Sequence, residues 1–485
     1  MEGTHMVQQR RDDEADSLLK ADVDAYVDEV WEDVVEDIRS LVKIRSVEDR
    51  GKAAPGMPWG PASHEALSAA LALAGRLGLE AHDCEGYIGY ADLPGDSSKQ
   101  VATIAHTDVV PEGLGWHSDP FDVTRRDGFL VGRGVLDDKG PFVLSLYAAH
   151  FFVRHVKRGG TRLPYTLRCI VGNNEETGMS DLDWYLAHFP EPAFCFSPDA
   201  DFPLICGEKG HLTGEFRSQN IDDSGRIVAL DGGTVSNAVP GEASATVEAA
   251  VSGLPADPHV DREDLGSGRV RLVAHGKGGH ASLPAGTVNA IGILVEYLLH
   301  NELCSAQERA FLEMEQQLLK ASDGSLVGVA CADEKFGPLT LIGGTVHKQG
   351  HHFEQTVDSR FPTATTGESL AAALAAFGER YSCSFALSTI DKPFYVDPAL
   401  PEIACLLKTY EEYSGRPGKT VTIGGGTYAR RFRRAAAFGP HDPADVVPAW
   451  VGIEHGPDEA ISEESLRRAL KIYIVSIARL MRLEL

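Results

Sequence analysis

The sequence predicts an α/β protein: a discontinuous domain with a mixed sheet flanked by helices, and a second, α+β domain inserted into it as a lid. Three observations carry this prediction. Buried-strand and helix patterns alternate between about residues 101 and 200, as βα units do. After Glu208-Lys209-Gly210 the pattern turns to short polar–apolar strands, such as the run from Ser244 to Val251. From about residue 392 helices and a buried strand return. At 485 residues the chain is too long for one ordinary core. The expected boundaries are 7–211 and 392–485 for the discontinuous domain and 212–391 for the insertion.

Each element has its own signal. Residues 1–6 (MEGTHM) resemble an expression remnant and are set aside. Over 22–43, Val23, Tyr26, Val27, Val30, Trp31, Val34, Ile38 and Leu41 recur at helical spacing. Residues 64–78 read as a helix ended by Gly78. VATIAHTDVV at 101–110 reads as a buried strand, and 141–156 as a helix opened by Pro141. A strand over 165–174, a helix over 181–189 and a strand over 193–200 follow. In the insertion, a helical stretch is expected from 290 to about 320, strands at 338–349 and 351–361, and a helix near 368–380. The last part holds a helix at 400–413, a Gly-rich loop at 424–426, a strand at 435–438 and a final helix at 462–483.

Composition excludes several function classes. A net charge of −26 repels nucleic acid and acidic membrane surfaces. No apolar run approaches the ~18 residues of a membrane span, and the N-terminus has no apolar signal core. Eight scattered cysteines without a C-x-x-C pair fit reduced thiols in a cytoplasm.

The chemistry is concentrated in six side chains at or just beyond the carboxyl ends of expected strands, where open α/β sheets build their sites. They are His106 in AHTD, Asp137 in GRGVLDDKGP, Glu175 and Glu176 in NNEETG, Asp199 in SPDAD and His455 in IEHG. Two imidazoles with several carboxylates and no paired cysteines are the ligand chemistry of a catalytic metal rather than a structural one. Singly, each has a plainer reading. Asp137-Asp138 could cap the helix that Pro141 opens. Glu175-Glu176 could be a solvated loop, His106 a core histidine, Asp199 a turn residue and His455 a surface residue. The joint pattern outweighs these. Asp108, two residues after His106 on a strand, shares its face and can orient the imidazole. Rival motifs fail: Tyr413 stands where a phosphate loop ending in Gly418-Lys419-Thr420 needs glycine, and no G-x-S-x-G elbow is present.

The blocks AHTDVVP, GRGVLDDKGP, NNEETG, SPDADFP with EKG, GGTVSNAVP, GGHASLP, DSRFP, GGGTYAR and IEHGPDE follow one another in this order. Together they resemble the dinuclear metallopeptidases of the aminoacylase and carboxypeptidase-G superfamily, in its bacterial dipeptidase branch of the Xaa-His dipeptidase and dipeptidase V type. The resemblance implies that His106 and Asp199 bind one divalent ion, Glu176 and His455 a second, and that Asp137 bridges them. It implies Glu175 as general base, Asp108 as a catalytic-site residue just behind the ligands and a cis Asp137–Asp138 peptide. It implies Asn237 and His280 at the developing oxyanion. Arg360 and the backbone of Gly424, Gly425 and Gly426 would receive the substrate's C-terminal carboxylate. The implied cofactors are two zinc ions, with manganese or cobalt as alternatives. The implied substrate is a dipeptide with a free C-terminus, and the insertion is long enough to supply His280 within one chain. An N-acyl-amino-acid deacylase or a desuccinylase is the alternative on the same scaffold. The chain departs from the branch at Asn173-Asn174, at Asp201 where glutamate is common, and around His455, which leaves His441 as a rival for its role.

Overall fold

The protein, as a computed structural model, is described over residues 2–222 and 224–485, with side chains from Leu19 onward. Met1 lies outside the described residues, and of the rest of the expected remnant only the backbone is described. The chain forms two compact units. One runs to Cys206 and resumes over Val396–Val421 and Thr427–Leu485; the other comprises Gly207–Tyr395 and Thr422–Gly426.

The first unit is built on a mixed sheet. Its strands lie in the order Glu80–Cys84, Ile88–Leu93, Tyr165–Gly172, Ser97–His106, Phe194–Ser197, Ala435–Ala437. The four strands from Tyr165–Gly172 onward are parallel to one another, while the edge hairpin is antiparallel both within itself and to Tyr165–Gly172. Ser97–His106 is buried without interruption from Val101 onward, as a central parallel strand covered on both faces should be. The flanking helices include Glu2–Val42, Lys139–Lys157 and Glu463–Leu480, which pack on one another. The last is started by Ser462, whose side chain accepts from Ser465 N, and buries Leu466, Leu470, Tyr473, Ile477 and Leu480 on one stripe.

Topology gathers distant residues at one end of this sheet. Parallel pairing sets His106 opposite Gly172, so the Asn173–Glu176 loop leaves beside it. Thr103 pairs with Phe196, so Asp199 emerges level with His106. A separate antiparallel pair sets Val131 against Ala460. The chain that leaves Val131 toward Asp137 therefore runs beside the chain that arrives at Ala460 from His455.

The second unit is an antiparallel sheet of eight strands, in the order Val260–Gly266, Arg269–His275, Glu242–Glu248, Ile227–Gly232, Thr340–Gln349, His352–Phe361, Gly210–Ser218, Cys383–Asp391. Burial alternates along Glu242–Glu248 and Gly210–Ser218, so one face is packed, and the helices Ala290–His300, Ala306–Leu319 and Gly367–Glu379 contribute to that core. The stretch expected as one helix from 290 to 320 is two helices. Ser305 accepts from Glu308 N while Glu308 accepts from Ser305 N, a capping box that starts the second helix. The Gly-rich stretch, expected with the discontinuous domain, falls in this unit.

Candidate functional site

Among the described residues, two groups of potential metal ligands form in the first unit: His106, Asp137 and Asp199, and Asp137, Glu176 and His455, the ligand atoms of each lying within 4.8 Å of one another. Asp137 belongs to both. Its Oδ1 lies 3.1 Å from His106 Nε2 and its Oδ2 lies 3.0 Å from His455 Nε2. Asp199 Oδ2 is 3.6 Å from His106 Nε2, and Glu176 Oε2 is 3.0 Å from His455 Nε2. The Asp137–Asp138 peptide is cis. His441, the rival of His455, pairs instead with Asp201 and belongs to neither group.

The surrounding hydrogen bonds orient these groups. His106 Nδ1 lies 2.9 Å from the Asp108 carbonyl, an acceptor only, so Nδ1 donates there and Nε2 is the ring atom turned to Asp137 and Asp199. Asp108 Oδ2 accepts from Glu176 N, and Asp138 Oδ2 accepts from His106 N. Asp181 Oδ2 accepts from Asn173 N, Asn174 N and the Tyr428 hydroxyl, which fixes the loop that leads into Glu175. The Tyr428 ring stands edge-on to His106, their centroids 6.3 Å apart.

These residues fit a pair of divalent cations. Two ligand atoms held at ~2.0–2.2 Å from one tetrahedral ion stand about 3.3–3.6 Å apart, and somewhat closer round an octahedral ion; the contacts above span 3.0–3.6 Å. His106 Nε2, Asp137 Oδ1, Glu175 Oε1 and Glu176 Oε1 are buried without a hydrogen-bond partner in the protein. Buried polar atoms are normally paired, so four such atoms in one place call for a ligand. The charges agree. Burial, then the charge of Asp199, pushes Glu175 well above the usual carboxylate range. Burial, then Asp137, brings Glu176 up to about 7. Burial works against the Asp137 carboxylate, but His106 and His455 together hold it below its ordinary range. Burial also opposes a proton on His106, and Asp199, Asp108 and Asp137 outweigh it. Such a surplus of confined negative charge is what bound cations neutralise. His455 is the most open member, its side chain 48% exposed.

The second unit gathers the remaining candidates through a continuous set of contacts. Ala281 N donates to Asn237 O, and Ala238 faces His280 across a short ribbon. His280 Nδ1 lies 2.7 Å from Ser282 Oγ. Ser282 packs so closely on Gly424 that a Cβ there would meet Ser282 Cβ at 2.6 Å, which only glycine avoids. Gly424 O accepts from Arg360 Nη1 at 3.0 Å. Arg360 also donates through Nε and Nη2 to the two oxygens of Asp358, at 2.8 and 3.0 Å. Asp358 in turn lies 2.9 Å from His211 Nε2. Three of the five guanidinium N–H groups are thus engaged within the protein.

Sequence reasoning missed Asp181 and Tyr428, although Tyr428 lies inside the GGGTYAR block. Asp181 looks like an ordinary first-turn helix residue; its partners are two backbone N–H groups and the distant Tyr428 hydroxyl, none of which leaves a trace in a residue pattern.

The model of peptidase family M20/M25/M40 matches residues 102–479. YtjP of Bacillus subtilis is 30% identical over 463 residues, covering 93% of this chain and 97% of that protein. The Beta-Ala-Xaa dipeptidase of Lactobacillus delbrueckii subsp. lactis is 29% identical over 463 residues, covering 92% and 96%. Among solved structures, the di-peptidase Dug1p of Saccharomyces cerevisiae superposes with a TM-score of 0.62 at 14% identity, covering 95% of this chain and 98% of that one. Human carnosine dipeptidase 1 superposes with a TM-score of 0.58 at 14% identity, covering 96% and 100%. At that identity these two show the fold. An α/β unit of this kind, with its two carboxylate–imidazole groups, is the frame of a metal-dependent hydrolase. The chain belongs to peptidase family M20/M25/M40 and is a peptide-bond hydrolase of that family.

Proposed function

We propose that this protein hydrolyses dipeptides with a free C-terminus, using two divalent cations held by His106, Asp137, Glu176, Asp199 and His455. The observation that supports this most is the carboxylate of Asp137, which turns one oxygen to each of two imidazoles. Cations held there supply Lewis-acid polarisation of the scissile carbonyl and make a water acidic enough to ionise near neutral pH. Glu175 would take a proton from the attacking water and give one to the leaving nitrogen. Burial and neighbouring negative charge raise the proton affinity of Glu175, which suits a group that must both take and give. Asp108 keeps His106 in the tautomer that leaves Nε2 for the metal and holds the backbone of Glu176.

Asn237 and His280 are proposed to donate to the oxygen on which negative charge develops. Arg360, held in place by Asp358, would receive the terminal carboxylate together with the backbone of Gly424–Gly426. Zinc is the first choice of metal, and the same ligands accept manganese or cobalt. Every group in this scheme is encoded in the one chain. All eight cysteines are free thiols, which suits the cytoplasm, and among the described residues no helix is long and apolar enough to cross a membrane.

The test is a substrate panel under defined metals. Dipeptides, including β-alanyl dipeptides, should be cleaved in a metal-dependent reaction, while N-acetyl and N-succinyl amino acids should be poor substrates. Preference for the N-acyl compounds would replace this reading with that of a deacylase.

A further inference from the structure

One buried ion pair contacts the backbone of both ligand groups and has no role in the scheme above. Glu459 is fully buried and Arg133 is 1% exposed. Arg133 Nη1 donates to Glu459 Oε2 at 2.6 Å. The other carboxylate oxygen, Oε1, accepts three backbone N–H groups, from Gly134 at 2.9 Å, Leu136 at 3.1 Å and Asp137 at 3.2 Å. One carboxylate therefore organises the backbone that presents Asp137. Arg133 reaches the other way: its Nη2 donates to His455 O at 3.1 Å and to Glu112 O at 3.4 Å.

The His455 contact matters because of that residue's conformation. His455 has φ = 62°, in the left-handed region. A residue with a Cβ gives up roughly 1–2 kcal/mol there, so contacts outside the residue must hold it. The Arg133 guanidinium on its carbonyl is one. Another is Asp458, which accepts from His117 N and pairs with the His117 ring, tying down the same turn.

Burying two charges to form one ion pair is seldom a gain in stability over an apolar pair of the same size. What the pair provides is direction. A carboxylate can accept several N–H groups at fixed angles, and a planar guanidinium can join that carboxylate to a carbonyl on another segment. We propose that Arg133 and Glu459 are positioning residues: they set the separation of Asp137 from His455, and through it the affinity of the cation position formed by Asp137, Glu176 and His455. The position formed by His106, Asp137 and Asp199 takes two of its three ligands from sheet strands or their ends and depends on the pair only through Asp137.

This inference rests on the two-cation reading, and its test separates the two. Protein stripped by a chelator is titrated with Co(II), followed by calorimetry and by the visible absorption of the bound ion, for wild type, Glu459→Gln and Arg133→Lys. Circular dichroism and thermal melting establish that each variant is folded. Wild type should take up two equivalents. Each variant should bind the first equivalent close to wild-type affinity and the second ~10–100-fold more weakly, the usual effect of losing a group that orients a ligand. The absorption of the second equivalent should change as well, which a general loss of stability would not produce. Arg133→Lys keeps the charge but cannot span Glu459 and His455, and it carries the test alone should Glu459→Gln not fold. Wild-type affinity for both equivalents in the folded variants would overturn the inference. Uptake of fewer than two equivalents by wild type would instead sink the two-cation reading and this inference with it.

Discussion

Asp137 Oδ2 lies 3.0 Å from His455 Nε2, while the other oxygen of the same carboxylate faces His106. A carboxylate placed in this way has one donor atom for each of two ions, which a single imidazole cannot offer. Two pieces of topology produce the arrangement. The parallel strands bring His106, Glu176 and Asp199 to one end of the sheet, and the pairing of Val131 with Ala460 brings in Asp137 and His455.

Glu175 carries a buried, unpaired oxygen like the candidate ligands but belongs to neither candidate group. Glu175→Gln should therefore keep wild-type metal content while turnover falls by ~10²–10⁴, the usual worth of a general base. Metal analysis and steady-state kinetics on one preparation check this. More than about a tenth of wild-type turnover would remove Glu175 from that role.

His280 is proposed to act on the transition state. His280→Ala should lower kcat by ~10²–10³ with a much smaller change in KM. A change confined to KM would make His280 a substrate-binding residue only.

The terminal-carboxylate preference should be moderate. Arg360 is 6% exposed and already paired with Asp358, so a C-terminally amidated dipeptide would not leave the guanidinium unpaired. It would forgo charge-assisted hydrogen bonds worth about 1.5–3 kcal/mol, which corresponds to roughly 10–100-fold in kcat/KM. Arg360→Ala should erase most of that preference. Equal rates on free and amidated dipeptides with wild type would leave Arg360 as a structural partner of Asp358.

Glu315 gives a test independent of the metal site. Its side chain is fully buried in the core of the second unit, neither oxygen has a partner, and burial alone raises its carboxyl well above the ordinary value of 4.5. The folded state then keeps a proton that the unfolded chain releases above that value. This contribution to stability is complete at low pH and is lost as pH rises toward the folded value, at about 1.4 kcal/mol per pH unit. Melting temperatures at pH 5.5 and 8.0 should show Glu315→Gln gaining on wild type at the higher pH. A difference between the two proteins that does not change with pH would mean that Glu315 is ionised in the fold.

Much of this was legible in the sequence, for identifiable reasons. The strand Ser97–His106 and the helix Lys139–Lys157 carry long apolar patterns, and the candidate ligands, each ordinary alone, form a joint pattern at strand ends. The edge hairpin Glu80–Leu93 was not read, because its first strand is exposed at four of five positions and lacks an apolar face. The break between Ala290–His300 and Ala306–Leu319 was passed over, although Ser305 and Glu308 hold capping-box spacing. Arg133, Asp181 and Glu459 give no sequence signal because their partners, backbone groups and side chains distant in sequence, come together only once the chain is folded.

The most direct measurement of the central claim is anomalous diffraction from crystals grown with manganese or zinc. The account predicts two anomalous peaks about 3.5–4 Å apart, one beside His106 and Asp199, the other beside Glu176 and His455, with Asp137 between them. A single peak, or two peaks that do not share Asp137, would contradict it.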